Sequence, residues 1–248
     1  MGRKTIQVNR KTKTGICALC GKNKELSFEH VPPRSALNDK PIFIQTFDHL
    51  FDEKNRVYGK KMTSNRGFGG YTLCETCNNN TGDWYAKDFA DFAQQGMLII
   101  NSLEEPVYAI KGSYQIKPLN VLKQILTMFM SADKSGHLRA QEDLVGFILN
   151  KEISGLPSRF RIFLYSTLSA FKRMHGIAFV DLGNRNYQTW AEINFQPFGY
   201  LLAQDSDPAH KDMCDISKFG GFKYNERIIF EITTPYLNVM SPIIGVYQ

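Results

Sequence analysis

The chain has 248 residues, of which 43% are hydrophobic and 22% are charged, and its formal net charge is +6 at pH 7. This length suits two small domains, or one domain with a large extension, and the apolar content is ordinary for a protein with a packed core. No apolar run approaches the ~18 residues that a membrane-spanning helix needs, so we expect no membrane partner.

The first 16 residues are predicted to form a basic arm, with a short strand at residues 5–8. No acidic residue precedes Glu25, whereas seven positively charged residues do: Arg3, Lys4, Arg10, Lys11, Lys13, Lys22 and Lys24. Such a run alone is usually a solvated terminus. Beside a metal motif it favours a polyanion partner, because phosphate neutralisation releases counterions. Residues 1–15 lack the apolar core of a signal peptide, which predicts an intracellular protein.

Four of the five cysteines stand in two Cys-x-x-Cys pairs, Cys17 with Cys20 and Cys74 with Cys77. In a reducing compartment, pairs with this spacing are more often metal ligands than disulfides. Together they can form a closed tetrahedral zinc site with Zn–S distances of about 2.3 Å. The 53 residues between the pairs exceed the ~15–20 of a compact zinc ribbon, which predicts an inserted element. The alternative is two unrelated pairs of buried cysteines. We interpret Cys214 as a buried apolar residue, with a reactive thiol as the less favoured alternative.

A candidate catalytic pair, Glu29-His30, stands at the end of a predicted strand. Residues 25–31 alternate between two faces, as a strand does, and Pro32 and Pro33 then remove two backbone donors and end it. A histidine beside a carboxylate can act as a general base near neutral pH. The carboxylate can ligate a hard divalent cation. Taken alone, however, such a dipeptide is usually a surface pair.

Residues 34–72 form a long connection, and a structureless loop of this length is unusual, so we expect a small element within it. Asp48-His49 is a second acidic–histidine pair, but no proline follows it and its apolar neighbours predict a helix. We rank this pair below Glu29-His30. A second strand is predicted at residues 71–73, leading into Cys74.

The three asparagines that follow Cys77 are good helix-capping residues, and an apolar spacing predicts a helix from about Trp84 onwards. Asn78, at the start of this helix, can offer a neutral oxygen ligand to a cation that Glu29 also binds. The ordinary interpretation of Asn78 alone is a helix cap.

The C-terminal half shows no recognisable motif, and a boundary is predicted at Glu104-Glu105-Pro106. Periodicity predicts helices near residues 119–132 and 141–150. Strands are predicted at residues 160–166, 176–182, 189–195, 198–202 and 227–232. Three histidines lack neighbours at ligand spacing and are interpreted as ordinary: His137, His175 and His210. The expected organisation is a basic arm (1–16), a zinc-stabilised domain (17–104) and an α+β domain of unassigned fold (105–248).

The motifs taken together, Cys17-x-x-Cys20, Glu29-His30-Val31-Pro32-Pro33 and Leu73-Cys74-x-x-Cys77-Asn78, resemble the HNH endonuclease family in its four-cysteine form. The resemblance covers roughly residues 17–90 and implies a ββα-metal fold. It implies one structural zinc and one catalytic divalent cation, Mg²⁺ or another such as Mn²⁺ or Ni²⁺. The implied partner is DNA, most readily duplex DNA, in a bacterial or phage-encoded cytoplasmic protein.

The same resemblance implies a role for each matching residue. His30 corresponds to the general base, and Glu29 and Asn78 correspond to ligands of the catalytic cation. The family usually has a middle asparagine that orients the histidine about five residues before the second cysteine pair. The nearest asparagine upstream here is Asn65, which we assign this role, with a backbone carbonyl as the alternative.

The sequence therefore predicts an α+β protein that hydrolyses DNA phosphodiester bonds with the help of a metal. The alternative hypothesis is a catalytically inactive, zinc-stabilised module that binds nucleic acid or acts as an adaptor. In a third hypothesis, the C-terminal half senses a ligand or partner and gates the nuclease. Roles in restriction, defence, homing and packaging all stay open, as does a homodimer.

Overall fold

The computed structural model describes residues 13–105 and 107–247, and the strand predicted at residues 5–8 lies outside them. The fold is α+β, as expected, with small antiparallel sheets around a set of helices. None of the helices in the described ranges is long and apolar enough to cross a membrane.

A three-stranded antiparallel sheet lies at the N-terminal end. Its strands are β1 (Lys13–Ile16), β2 (Asn23–His30) and β5 (Gly69–Cys74), in the order β1-β2-β5. The pairing places His30 opposite Gly69 and Leu26 opposite Cys74. A Cβ atom at Gly69 would lie 2.1 Å from the Glu29 carbonyl oxygen, so only glycine permits this close pairing. The strands predicted at residues 25–31 and 71–73 are confirmed.

The connection between β2 and β5 does carry structure of its own. It contains β3 (Ile42–Ile44), the short helix α1 (Phe47–Phe51) and β4 (Met62–Ser64), with β3 and β4 paired antiparallel. Asp48-His49 lies in α1, as predicted. The His49 ring is buried, and its Nδ1 accepts a hydrogen bond from the Thr46 backbone N–H at 3.1 Å. His49 therefore stabilises the start of a helix.

One long helical stretch follows β5. It comprises α2 (Glu75–Thr81), a π-helical turn (Gly82–Ala86) and α3 (Lys87–Asn101), with helical backbone at each junction. Cys74 is the N-cap of α2, so the prediction that Asn78–Asn80 cap the helix is wrong. The helix starts at Glu75, before the asparagines. Residues three apart lie on the same face of a helix, so its first turn can place Cys77 on the side on which Cys74 lies.

The remaining elements form two further sheets and two helices. Their bounds are β6 (Ala109–Ile116), α4 (Pro118–Ala132), α5 (Glu142–Leu149), β7 (Phe160–Ser166), β8 (Arg173–Asp181), β9 (Tyr187–Phe195), β10 (Phe198–Gln204), β11 (Cys214–Asp215) and β12 (Ile228–Pro235). Five of these strands form an antiparallel sheet in the order β11-β7-β10-β9-β8, and β6 pairs with β12. Both predicted helices and all five predicted strands are present, whereas β6 and β11 were not predicted.

Helix α4 lies at the centre of the molecule, and all of its residues are buried. Its apolar side chains share one core with α3, represented by Phe89 and Phe92, and with the large sheet, represented by Phe198. The core therefore includes side chains from both sides of the boundary predicted at residue 104. This arrangement brings α4 against the region that contains the candidate catalytic residues.

Candidate metal centre and adjoining cleft

The sulfur atoms of Cys17, Cys20, Cys74 and Cys77 all lie within 4.8 Å of one another. The first pair lies in a tight turn between β1 and β2, in which Gly21 has φ +70° and donates its N–H to the Cys17 carbonyl. The second pair lies where β5 meets α2. The Cys20 and Cys74 sulfurs are 3.9 Å apart, and a tetrahedral site with Zn–S bonds of 2.3 Å requires about 3.8 Å. The cluster therefore fits a four-thiolate zinc site.

The electrostatics of the cluster also suit a cation. The pKa of Cys17 is lowered to about 4, chiefly by a hydrogen bond with the Cys77 thiol, whereas the pKa values of Cys20 and Cys77 are raised. Adjacent thiols cannot all ionise without a compensating positive charge. The Cys74 N–H points at the Cys17 sulfur at 3.3 Å, a contact that favours a thiolate. Among the described residues, no second group of three or more His, Cys, Asp or Glu side chains brings its ligand atoms this close together.

A cleft of about 210 Å³ lies beside the cluster and brings together three of the predicted site residues, Glu29, His30 and Asn78. Its complete lining is Phe28, Glu29, His30, Pro33, Arg34, Asn78, Thr81, Gly82, Ala86 and Gln124. The π-helical turn forms part of this wall, and such turns occur frequently at functional sites. Asn65 does not line the cleft, and its side chain makes no hydrogen bond within residues 13–105 and 107–247.

The Glu29 carboxylate is buried, with 6% of the residue exposed. Its Oε2 accepts hydrogen bonds from the Thr72 hydroxyl at 3.0 Å and from the Ser131 hydroxyl of α4. Burial raises the pKa of Glu29 to about 7, although both hydroxyls act in the opposite direction. The carboxylate is thus oriented by two donors, and a bound cation would favour its ionised form.

A Glu29→Gln variant is expected to become more stable than the native chain as the pH rises. The folded pKa of about 7 exceeds the unfolded value of 4.5. The stabilisation by the neutral carboxyl is therefore complete below about pH 4.5 and is lost as the pH rises through about 7. The free energy of unfolding of the variant, measured relative to that of the native chain, should therefore increase by about 2 kcal/mol from about pH 5.5 to about pH 8.5.

Urea unfolding of zinc-loaded protein without other divalent cations measures this gain. Glu25→Gln, at an exposed position of the same strand, is the control and should show no such trend. If the difference in free energy of unfolding between Glu29→Gln and the native chain did not change with pH, the assigned pKa of Glu29 would be contradicted.

His30 lies at the end of β2, with its ring 5.1 Å from that of Phe28 in an edge-to-face arrangement. Burial lowers the pKa of His30, and the positive charges of Arg34 and Arg66 lower it further, while a hydrogen bond with the Arg66 backbone raises it. The neutral ring, which is the form that accepts a proton, is therefore favoured near pH 7. This contact is compatible with the alternative that a backbone carbonyl, in place of Asn65, orients the His30 ring.

The side chain of Asn78 is fixed against β2. Its Nδ2 donates hydrogen bonds to the Ser27 hydroxyl at 2.9 Å and to the Phe28 carbonyl at 3.3 Å. No donor within the described ranges reaches its Oδ1, which leaves this oxygen available to a ligand. The prediction that Asn78 offers a neutral oxygen beside Glu29 and His30 is thus compatible with the geometry.

Asn38 is a structural residue of this site that the sequence did not indicate. Its Nδ2 donates to the Pro32 and Phe68 carbonyls, its Oδ1 accepts from the Phe68 N–H, and each distance is 2.7 Å. These bonds join the segment after His30 to the segment before β5. Only 1% of Asn38 is exposed. Its position in the sequence did not indicate this burial, because an asparagine in a long connection is ordinarily exposed.

Replacing Asn38 with alanine should lower the free energy of unfolding by about 3 kcal/mol, because it leaves buried backbone groups without partners. Urea unfolding measures the change, and Asn65→Ala is the matched control, with an expected effect within about 0.5 kcal/mol. Equal effects of the two substitutions would show that Asn38 does not hold the two segments together.

Helix α4 adds Gln124 to the cleft. Only 3% of this residue is exposed, and its Oε1 has no hydrogen-bond partner among the described residues. The sequence placed Gln124 in a helix of the C-terminal half and gave no reason to connect it with Glu29.

No family model matches this chain, and neither a curated protein nor a solved structure is significantly similar to it. The features established for this chain are an α+β fold and a cluster of four cysteines that can bind zinc. Beside that cluster lies a polar cleft.

Proposed function

We propose that this chain is a metal-dependent endonuclease of the HNH type that hydrolyses DNA phosphodiester bonds. The observation that carries the proposal is the shared cleft of Glu29, His30 and Asn78 beside a zinc-compatible cluster of four cysteines. A general base, an acidic oxygen and a neutral oxygen in one cleft are the groups that this hydrolysis requires.

Four residues of the cleft have distinct parts in the proposed reaction. The neutral ring of His30, oriented by the Arg66 backbone, accepts a proton from the attacking water through its other ring nitrogen. The guanidinium of Arg34 contacts a non-bridging oxygen of the phosphate. Glu29 and the Oδ1 of Asn78 would hold a divalent cation, which supplies charge stabilisation at the phosphate and the leaving oxygen.

The four cysteines are proposed to hold a zinc ion of structural importance only. All four positions of a tetrahedral site are then occupied by thiolates, which leaves no position for water or substrate. The ion would fix the junction of β5 and α2 against the turn before β2. It would thereby hold Asn78 beside the strand that carries Glu29 and His30.

A basic and aromatic surface near His30 supports DNA as the substrate. The Lys13 ammonium lies 4.5 Å from the centre of the Tyr71 ring, and the Arg66 guanidinium lies 5.6 Å from the centre of the Phe28 ring. The Phe28 and Tyr71 rings contact each other. Cations that lie against the Phe28 and Tyr71 rings suit a phosphate backbone, and the resulting binding should weaken steeply with salt.

Plasmid cleavage by zinc-loaded protein tests the proposal. With Mg²⁺, Mn²⁺ or Ni²⁺ the protein should nick or linearise supercoiled DNA, and without an added divalent cation it should not. Zinc is quantified in the same sample, so that misfolded protein is recognised. Salt-dependent DNA binding without cleavage under any of these cations would instead favour the inactive binding module.

A further inference from the structure

The buried Oε1 of Gln124 accepts no hydrogen bond from any of the described residues. A buried acceptor without a hydrogen bond destabilises a protein by about 1–3 kcal/mol, so such an atom is uncommon unless a ligand or water completes it. Because Gln124 lines the cleft, its partner is expected there.

The chemistry of the neighbouring groups identifies the kind of partner. Glu29 contributes a carboxylate and Asn78 an amide oxygen without a described donor, and Gln124 adds a second such amide oxygen. Three acceptor oxygens around one space attract a hard divalent cation, which prefers carboxylate and amide oxygens.

The spacing along α4 supports a common role for this face of the helix. Ser131 follows Gln124 by seven residues, and positions separated in this way lie on the same helix face. The Ser131 hydroxyl donates to the Glu29 carboxylate. One face of α4 thus contacts Glu29 and also contributes Gln124, whose Oε1 is unpaired among the described residues, to the lining of the cleft.

We propose that the Oε1 of Gln124 is a third protein ligand of the divalent cation held by Glu29 and Asn78. This inference rests on the proposed function, because it concerns the same cation. It assigns a ligand from outside the segment that resembles HNH nucleases. Helix α4, which follows the predicted boundary at residue 104, then completes the cation site.

Titration of the zinc-loaded full-length chain with Mn²⁺ at about pH 8, followed by electron paramagnetic resonance, tests the inference without DNA. The native chain should bind one Mn²⁺. Gln124→Met, which preserves the side-chain length, should weaken binding at least about tenfold. Zinc content and the unfolding midpoint should stay close to the native values.

Thr127→Val is the matched control, since Thr127 is equally buried on α4 but donates its hydroxyl to the Lys123 carbonyl. It should leave the Mn²⁺ affinity unchanged. Gln124→Glu keeps an oxygen and adds charge, so it should bind Mn²⁺ at least as tightly as the native chain. This second variant decides the question if Gln124→Met does not fold, and weaker binding by Gln124→Glu would overturn the inference.

Glu29→Gln separates failure of the inference from failure of the proposed function. If Glu29→Gln weakens Mn²⁺ binding and Gln124→Met does not, the cation site stands and the role of Gln124 is overturned. If the native chain binds no Mn²⁺ in the cleft, both the cation site and the inference are overturned.

Discussion

Replacing His30 with alanine should slow DNA cleavage by about 10²–10⁴-fold, the usual contribution of a general base. The loss follows from removal of the group that accepts the proton of the attacking water. Zinc content should not change, because the cluster sulfurs belong to cysteines from other parts of the N-terminal segment. The measurement is plasmid nicking at saturating divalent cation, with zinc determined in the same preparation.

His210→Ala is the control for this experiment, since His210 does not line the cleft. Its cleavage rate should equal that of the native chain. Added imidazole should restore part of the activity of His30→Ala, because it can replace a base without replacing a structural contact. Full activity of His30→Ala would exclude His30 as the general base.

Loss of zinc should be the most destabilising change in this molecule. Structural zinc sites contribute on the order of 10 kcal/mol to folding, and the sheet β1-β2-β5 is small. Cys77→Ser should therefore lose zinc, expose the N-terminal segment to proteolysis and abolish cleavage. Metal analysis and limited proteolysis measure these effects.

Cys214→Ser provides the matched control, because Cys214 is half-buried and does not belong to the cluster. We expect it to retain zinc and to change the free energy of unfolding by less than about 1 kcal/mol. If Cys77→Ser resisted proteolysis as well as this control does, zinc would not be what stabilises the N-terminal sheet.

The sequence predicted the parts of the fold that follow from local pattern. The alternation in residues 25–31 gave β2, the helical spacing from Leu119 gave α4, and the Cys-x-x-Cys spacing gave the cluster. In each case, neighbouring residues along the chain contain the information. The start of α2 was missed because Asn78–Asn80 suggested a cap, and β6 was missed because Gly112 and Ser113 weaken the strand pattern.

The contribution of α4 to the cleft was not predictable by the same means. The polar side chains of α4 recur at helical spacing, which normally marks a solvent-facing surface: Asn120, Lys123, Gln124, Thr127 and Ser131. The structure buries that face instead. Asn120 bonds to the π-helical turn at Trp84, and Ser131 bonds to Glu29. Only tertiary packing gives these groups their partners, and periodicity along the chain does not contain that information.

The central claim is that Glu29 and Asn78 meet around one divalent cation beside His30. Crystals grown with Mn²⁺ test it directly, because the anomalous scattering of manganese and of zinc can be separated by wavelength. We predict zinc at the four cysteines and manganese in the cleft, about 2.0–2.6 Å from oxygens of Glu29 and Asn78, with His30 close by but not bound to the metal. Manganese that avoids the cleft, or that is ligated by His30 itself, would contradict this account.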